Sequence, residues 1–165
     1  KQAQKTAEAL HNLPFSAIYH STILRAEQTA RIIAKEHETV DLRPTELLRE
    51  CVPSIPAHMT GLFTSNHPGT SPEEMSFCIE QMDALYATHF IPPHGDDVYE
   101  LFVCHGNVIR YMMARALNVD AKTVWLNMLI HNCGITSIMV DNRNMIYLVS
   151  HNEIGHIPEE LRTHN

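Results

Sequence analysis

Two polar turns, each between a β-prone run and a helical stretch, hold the residues whose types could do chemistry. The first turn follows residues 15–19 and carries His20 and Arg25; the second follows residues 98–104 and carries His105. In open α/β sheets, ligands bind at the carboxyl ends of strands, where helix N-termini present free N–H groups and a positive dipole end. A guanidinium offers bidentate donors and an imidazole adds a third contact, so these turns predict a phosphate site.

Each of these residues also has a simpler interpretation when it is taken alone. An arginine near a helix start is commonly a solvated surface residue, although its charge opposes the positive end of the helix dipole. A histidine at a strand end commonly makes a structural hydrogen bond. The phosphate site therefore depends on Arg25 and His105 converging at one sheet edge to hold one tetrahedral dianion.

Hydrophobic periodicity places both turns in an α/β protein. The helical stretches have apolar residues at offsets of three and four, and the strands are β-branched or aromatic runs. The predicted helices cover residues 1–10, 22–36, 71–89 and 108–117, and the predicted strands cover residues 15–19, 98–104, 134–140 and 145–149. Ser71 and Glu74 form a capping box for the third helix. Two strand-turn-helix units and a closing hairpin predict a sheet of mixed strand directions covered by helices.

The length and net charge of the chain exclude several classes of function. A chain of 165 residues with 44% apolar residues suits one domain, here residues 1–165. The net charge of −7 argues against nucleic acid as a partner. No apolar run is long enough to span a bilayer, and the chain starts with polar residues and no visible targeting segment. We therefore expect a soluble chain that meets a membrane only through a segment outside these residues.

Residues 52–97 are expected to form a loop-rich insertion. Six prolines interrupt this stretch, and residues 71–89 are its one clear regular element. Long loops in compact domains are often functional, so a lid or a substrate-facing segment is one interpretation. A plain irregular connection is the other.

The cysteines and histidines indicate neither a disulfide framework nor a metal centre. The four cysteines, Cys51, Cys78, Cys104 and Cys133, include no Cys-x-x-Cys pair, and we expect reduced thiols rather than disulfides. The twelve histidines include no His-Glu-x-x-His, and only His151 and His156 have a ligand-like separation. A zinc site is therefore not expected.

Two stretches carry a resemblance to a known family. Residues 21–30, Ser-Thr-Ile-Leu-Arg-Ala-Glu-Gln-Thr-Ala, resemble the Ser-x-x-x-Arg-Ala-x-x-Thr-Ala stretch of the histidine phosphatase (phosphoglycerate-mutase-like) superfamily. Residues 104–110, Cys-His-Gly-Asn-Val-Ile-Arg, resemble its second histidine motif. Residues 47–50 and 134–136 add a closer likeness to its mitochondrial serine/threonine protein phosphatases. The resemblance implies a three-layer α/β fold with a mixed, mostly parallel central sheet flanked by helices.

The resemblance also implies a role for each matching residue. Arg25 would bind the transferred phosphate, and His105 would hydrogen-bond the same group and stabilise its charge in the transition state. Glu50 would protonate the leaving oxygen and then activate water, although an exposed surface glutamate is an equal alternative. His20 is expected to be a structural or supporting residue, and Asn107 is expected to cap its helix rather than touch the substrate.

The chain departs from the family pattern at the nucleophile. The family's nucleophile is the His of an Arg-His-Gly triplet at the end of its first strand, and no such triplet occurs in these 165 residues. We therefore expect a first strand ahead of Lys1, a domain that is incomplete at its N-terminus, and residues 1–165 that are inactive or nearly so by themselves.

The function that the resemblance implies is hydrolysis of phosphomonoesters through a phosphohistidine, without a cofactor or metal. Its partners would be a phosphorylated protein or a small phosphomonoester; self-association is typical of the family, and residence would be mitochondrial. Two alternatives stay open. One is a catalytically silent phosphatase-fold scaffold, which the missing triplet favours. The other is a phosphoglycerate mutase, although Cys51-Val52-Pro53 follows Glu50 where mutases have an Arg-His-Tyr-Gly run.

Overall fold

The computed structural model, which describes residues 1–55, 69–121 and 127–164, is built around a three-stranded parallel sheet. Its strands are β1 (Phe15–Ser21), β2 (Leu42–Thr45) and β3 (Tyr99–Val103), in the order β2-β1-β3. β1 is therefore the central strand, and it runs parallel to both neighbours. All three carboxyl ends consequently lie at the same edge of the sheet.

Two pairs of helices cover the two faces of this sheet. They are α1 (Gln2–Leu10), α2 (Leu24–Ile33), α3 (Pro72–His89) and α4 (Gly106–Ala116). Successive strand residues point to opposite faces, so Ile18 packs in a cluster with α1 and α2 while Tyr19 packs against α3 and α4. The expected arrangement of a mostly parallel sheet between helical layers is confirmed.

The capping box predicted at Ser71 is present. The Glu74 backbone N–H donates to the Ser71 hydroxyl at 3.2 Å, and the Ser71 N–H donates to the Glu74 carboxylate at 3.0 Å. Both groups are donors that the helix itself leaves without partners, so the box fixes the point where α3 begins. Within the predicted insertion this helix is as expected, and residues 56–68 lie outside the described residues.

The predicted hairpin consists of β4 (Ile135–Val140) and β5 (Ile146–Glu153), which pair antiparallel. The Asp141 carboxylate holds the turn by accepting from the backbone N–H groups of Arg143 and Met145, each at 2.9 Å. Asn144 takes a positive φ of 61°, which asparagine tolerates better than most residues. Among the described residues, the hairpin forms a sheet of its own beside the parallel one.

The expectation that all four cysteines are reduced is wrong. Cys51 and Cys78 form a disulfide, with their Cα atoms 5.6 Å apart. Packing of α3 against the segment that follows β2 brings together two cysteines that are distant in sequence. Cys104 and Cys133 are free, as expected.

β2 was not predicted from the sequence. It has four residues and contains Pro44, which is tolerated because β2 lies at the edge of the sheet. No helix among the described ranges is both long enough and apolar enough to cross a membrane.

Replacing Ile18 with alanine tests the position of the core. Ile18 has 0% of its surface exposed and sits on the central strand, so Ile18→Ala should lower the free energy of unfolding by about 3 kcal/mol. Ile91→Ala is the matched control, because that isoleucine is 52% exposed and its truncation should cost less than about 0.5 kcal/mol. Urea unfolding of both variants gives the comparison, and equal losses would contradict this core.

Candidate active site

Each strand of the parallel sheet delivers one candidate residue just beyond its carboxyl end. Arg25 lies in the first turn of α2, which follows β1. Glu50 follows β2 and a short 3-10 helix, Glu46–Leu48. His105 follows β3 and is the N-cap residue of α4. The common direction of the strands therefore brings together residues that are up to eighty positions apart.

Arg25 and His105 face one point. Nη2 of Arg25 lies 3.9 Å from Oε2 of Glu50, and Nδ1 of His105 lies 4.0 Å from the same oxygen. A single carboxylate oxygen thus sits between the guanidinium and the imidazole. The two groups are unequally buried, because the Arg25 side chain is 63% exposed and that of His105 only 2%. The guanidinium and the imidazole are thus near each other at one edge of the sheet, which is the convergence that the sequence predicts for these two residues.

His105 is held by a buried serine. Its Nε2 lies 2.9 Å from the hydroxyl of Ser21, and that hydroxyl accepts from the backbone N–H of Ile23 at 3.2 Å. Burial, reinforced by the positive charges of Arg25 and Arg49, lowers the pKa of His105 from 6.5 to about 4. The imidazole is therefore neutral near pH 7 and has one N–H to donate.

Glu50 is bound to the start of α4. Its Oε1 accepts from the backbone N–H of Asn107 at 3.2 Å, where the helix dipole favours an anion. Burial raises the pKa of the Glu50 carboxyl, and the Asn107 N–H, Arg25 and Arg110 oppose that shift. A carboxyl whose pKa is raised toward neutrality is suited to both donating and accepting a proton.

The prediction that Asn107 caps α4 is wrong. The helix begins at Gly106 with His105 as its N-cap, so Asn107 already lies inside the first turn. Its side-chain amide donates to the carbonyl of Cys51 at 3.0 Å and accepts from Arg110 at 3.1 Å. Asn107 therefore ties α4 to the segment that carries Glu50.

His20 lies next to the site at the end of β1. It is buried, and its Nδ1 lies 2.9 Å from the carbonyl oxygen of Ser21. This contact orients the strand end from which the Ser21 hydroxyl reaches His105. The arrangement is the kind that a supporting residue makes, and it is compatible with the role expected for His20.

Three residues of the site were not singled out from the sequence. Ser21 contacts His105; Arg49 donates to the hydroxyl of Thr22 at 3.2 Å; Arg110 is buried and donates to the carbonyl of Met128 at 3.0 Å. Arg110 could have been singled out from the sequence, because it is a charged residue within an otherwise apolar stretch of α4. Ser21 and Arg49 lie in the stretches 21–30 and 47–50 that resemble the family, but nothing in those stretches indicates which partners their side chains have.

The histidine pair considered as metal ligands serves other contacts. His151 Nδ1 lies 3.2 Å from the hydroxyl of Thr136, and His156 Nε2 lies 3.0 Å from that of Thr6. In the part of the chain that the structure describes, no three His, Cys, Asp or Glu side chains are grouped as metal ligands would be.

Comparison with curated proteins finds relatives that match nearly the whole chain. The mitochondrial serine/threonine-protein phosphatase Pgam5 of Caenorhabditis elegans is 32% identical over 96% of this chain and 56% of its own length. The human protein of that name is 29% identical over 99% of this chain and 56% of its own length. The chain therefore spans little more than half the length of these relatives.

Comparison with solved structures finds the same fold. A phosphoglycerate mutase from Plasmodium falciparum is 30% identical and superimposes with a TM-score of 0.63, covering 94% of this chain and 79% of that one. A phosphoserine phosphatase from Entamoeba histolytica has a TM-score of 0.72 at 20% identity, covering 95% and 83% of the two chains. The family model of the histidine phosphatase superfamily (branch 1) matches residues 1–153. Because this family model matches most of its length, the chain belongs to the histidine phosphatase superfamily.

Proposed function

We propose that this chain forms the phosphate-binding and proton-transfer part of a phosphomonoesterase that works through a phosphohistidine. One observation carries the proposal: a single oxygen of Glu50 lies 3.9 Å from the Arg25 guanidinium and 4.0 Å from the His105 imidazole. Two phosphate donors and one proton carrier thus meet at the carboxyl edge of the sheet. Membership of the histidine phosphatase superfamily supports the same reaction class.

Binding of a phosphoryl group would use charge and fixed donors together. Arg25 offers two N–H groups to the equatorial oxygens, and neutral His105 offers one more. The N-terminus of α4, whose Asn107 N–H donates to Glu50, adds a positive dipole end close to the same residues. Because phosphoryl transfer spreads negative charge over these oxygens, such donors lower the barrier by electrostatic stabilisation.

Transfer would proceed in two balanced steps. In the first, a nucleophilic imidazole attacks phosphorus while the bond to the leaving oxygen breaks, and protonated Glu50 gives that oxygen its proton. In the second, Glu50 takes a proton from water as the water oxygen attacks phosphorus, and the imidazole leaves. Free phosphate and the original protonation state of Glu50 result. Such acid/base help is worth roughly 10²- to 10⁴-fold in rate.

The nucleophile would come from an Arg-His-Gly strand, which these 165 residues do not contain. A position between β3 and β4 would suit it. Among the described residues β3 pairs with β1, and β4 pairs with β5. Although β3 and β4 do not pair within the described ranges, both strands contact the same hydrophobic cluster, through Leu101 and Val103 of β3 and Ile135 of β4. A parallel strand beside β3 would end next to His105.

The substrate proposed is a phosphoserine or phosphothreonine in a protein, and the location proposed is the mitochondrion. Support comes from the relatives, which are named mitochondrial serine/threonine-protein phosphatases and match over 96% and 99% of this chain. The exposed Arg25 is also compatible with a bulky substrate, because its guanidinium can be reached from the protein surface.

A catalytically silent scaffold is the second candidate, and the missing Arg-His-Gly triplet favours it. Such a protein would keep the anion site and use it to hold a phosphorylated partner. A phosphoglycerate mutase is a third outcome to be measured, since one solved mutase is 30% identical to this chain.

Phosphate binding should depend on Arg25. The Arg25→Ala variant should bind inorganic phosphate about tenfold more weakly, because it loses charge-assisted hydrogen bonds to the dianion. Arg31→Ala is the matched control: Arg31 is on the same helix, is equally exposed and pairs with Glu27. Phosphate titration followed by ¹⁵N NMR gives both affinities. Equal affinities of the two variants would contradict the site.

Acid should destabilise the protein through His105. Its pKa is lowered from 6.5 in the unfolded chain to about 4, so the folded state resists protonation. The stability from this group is complete above about pH 6.5 and is lost as the pH falls towards 4, by about 3 kcal/mol. His105→Gln should therefore lose about 3 kcal/mol less than the native chain between pH 7 and 4. Urea unfolding measures this, with the exposed His11→Gln as control; matching losses in all three proteins would exclude a buried neutral imidazole.

Turnover should require the added nucleophile. The 165-residue chain should release no phosphate from a phosphoserine peptide above the blank, and it should not isomerise 3-phosphoglycerate. The same chain with an Arg-His-Gly strand joined ahead of Lys1 should release phosphate. Robust turnover by the 165 residues alone would refute the need for an added nucleophile. If the extended chain binds phosphate but does not turn over, the result would favour the scaffold.

A further inference from the structure

A covalent clamp holds the segment that carries Glu50. The neighbouring residue, Cys51, is bonded to Cys78, which lies in the middle of α3 and has no exposed surface. Cys78 is packed in a cluster with buried residues of α3 and α4, among them Met82 and Tyr111. One end of the clamp is therefore anchored in the core, and the other end is one peptide bond from the candidate proton carrier.

Hydrogen bonds from α3 reinforce the clamp. One turn beyond Cys78, the side-chain amide of Gln81 donates to the carbonyls of Leu47 at 3.1 Å and Arg49 at 2.9 Å. On the other side of Glu50, the carbonyl of Cys51 accepts from Asn107 at 3.0 Å. The segment between these contacts, residues 49–51, has no helix or strand of its own. Its position therefore depends on these tethers rather than on a backbone ladder.

We propose that the Cys51–Cys78 disulfide is a redox-dependent positioning device for Glu50, so that a dithiol reductant releases the carboxylate from its place beside Arg25 and His105. The inference rests on the proposed function for its consequence in catalysis. The positional change itself does not depend on that function. Reduction would switch the site between a state with a fixed proton carrier and a state without one.

The chemistry is an ordinary thiol–disulfide exchange. A thiolate of the dithiol attacks the sulfur of Cys51, which is the less buried partner, and Cys78 leaves and takes up a proton. The second thiol of the reductant then attacks the mixed disulfide and releases Cys51. The protein gains two electrons and two protons, and the dithiol becomes a disulfide.

The remaining cysteines do not compete for this role. Burial raises the pKa of the Cys104 thiol to about 12 and also raises the pKa of the Cys133 thiol. Both therefore stay protonated and poorly nucleophilic near neutral pH. A response to dithiothreitol can then be assigned to the disulfide.

Phosphate affinity at pH 8 reports the position of the Glu50 charge. In the oxidised chain the ionised carboxylate lies near the bound dianion and repels it. Reduction should therefore raise the affinity for inorganic phosphate about thirtyfold at low salt, the effect of a unit charge about 4 Å from a dianion in water. Glu50→Gln should bind equally in both redox states, because the charge that moves is absent. The Cys51→Ser/Cys78→Ser protein should match reduced native protein with or without dithiothreitol.

The same titrations, followed by ¹⁵N NMR, separate failure of this inference from failure of the proposed function. The Asn107 amide, which donates to Glu50, should shift on reduction of the native chain and stay unchanged in the double cysteine variant. If phosphate binds to neither redox form, the phosphate site is wrong, and the Asn107 shift alone decides the clamp. An unchanged Asn107 amide, or a redox effect on affinity that persists in Glu50→Gln, would overturn the inference.

Discussion

The hydrogen bond from the Asn107 backbone to the Glu50 carboxylate, 3.2 Å long, is the contact on which the site depends. It joins the helix that follows β3 to the loop that follows β2, across the central strand. The disulfide and Gln81 fix the backbone of that loop, and the bond to Asn107 fixes the carboxylate itself beside His105. The positive end of the helix dipole stabilises the carboxylate, and the proposed anion site gains a group that can carry a proton.

The charges of the site are balanced by unequal burial. His105 is kept neutral because it is buried against the Ser21 hydroxyl and lies near the positive charges of Arg25 and Arg49. Glu50 is shifted toward its protonated form by burial, although positive groups around it resist that shift. The pKa of His105 is lowered to about 4, and that of the Glu50 carboxyl 4.0 Å away is raised from its usual value. Both shifts favour the uncharged form of the group, so burial disfavours a permanent ion pair between them.

The sequence alone predicted the long helices, two strands of the parallel sheet and the hairpin, and it placed Arg25 and His105 at one sheet edge. Long periodic stretches, such as α3 with its Ser71 cap, are decided by local chemistry and were predicted correctly. β2 was missed because four residues with an internal proline have no periodicity, and pairing with β1 alone makes them a strand. The disulfide was missed because the partners of Cys51 depend on how α3 packs.

Glu50 shows a different limit of sequence reasoning. Nothing in its local sequence distinguishes it from a surface carboxylate, and only family resemblance suggested a role. The role proposed for it depends on its burial against α4, which is a property of the assembled fold. Arg25 and His105 were found because strand-turn-helix units place residues at the sheet edge by rule.

The contrast between an exposed Arg25 and an enclosed His105 has a consequence for how the site responds to its surroundings. Counterions reach the guanidinium freely, so its attraction for a dianion weakens within the screening length of the medium, about 8 Å at physiological ionic strength. The imidazole is shielded from those ions and keeps its directional contact. At low salt concentration the site should therefore discriminate between ligands mainly by their charge, and at high salt concentration mainly by their shape.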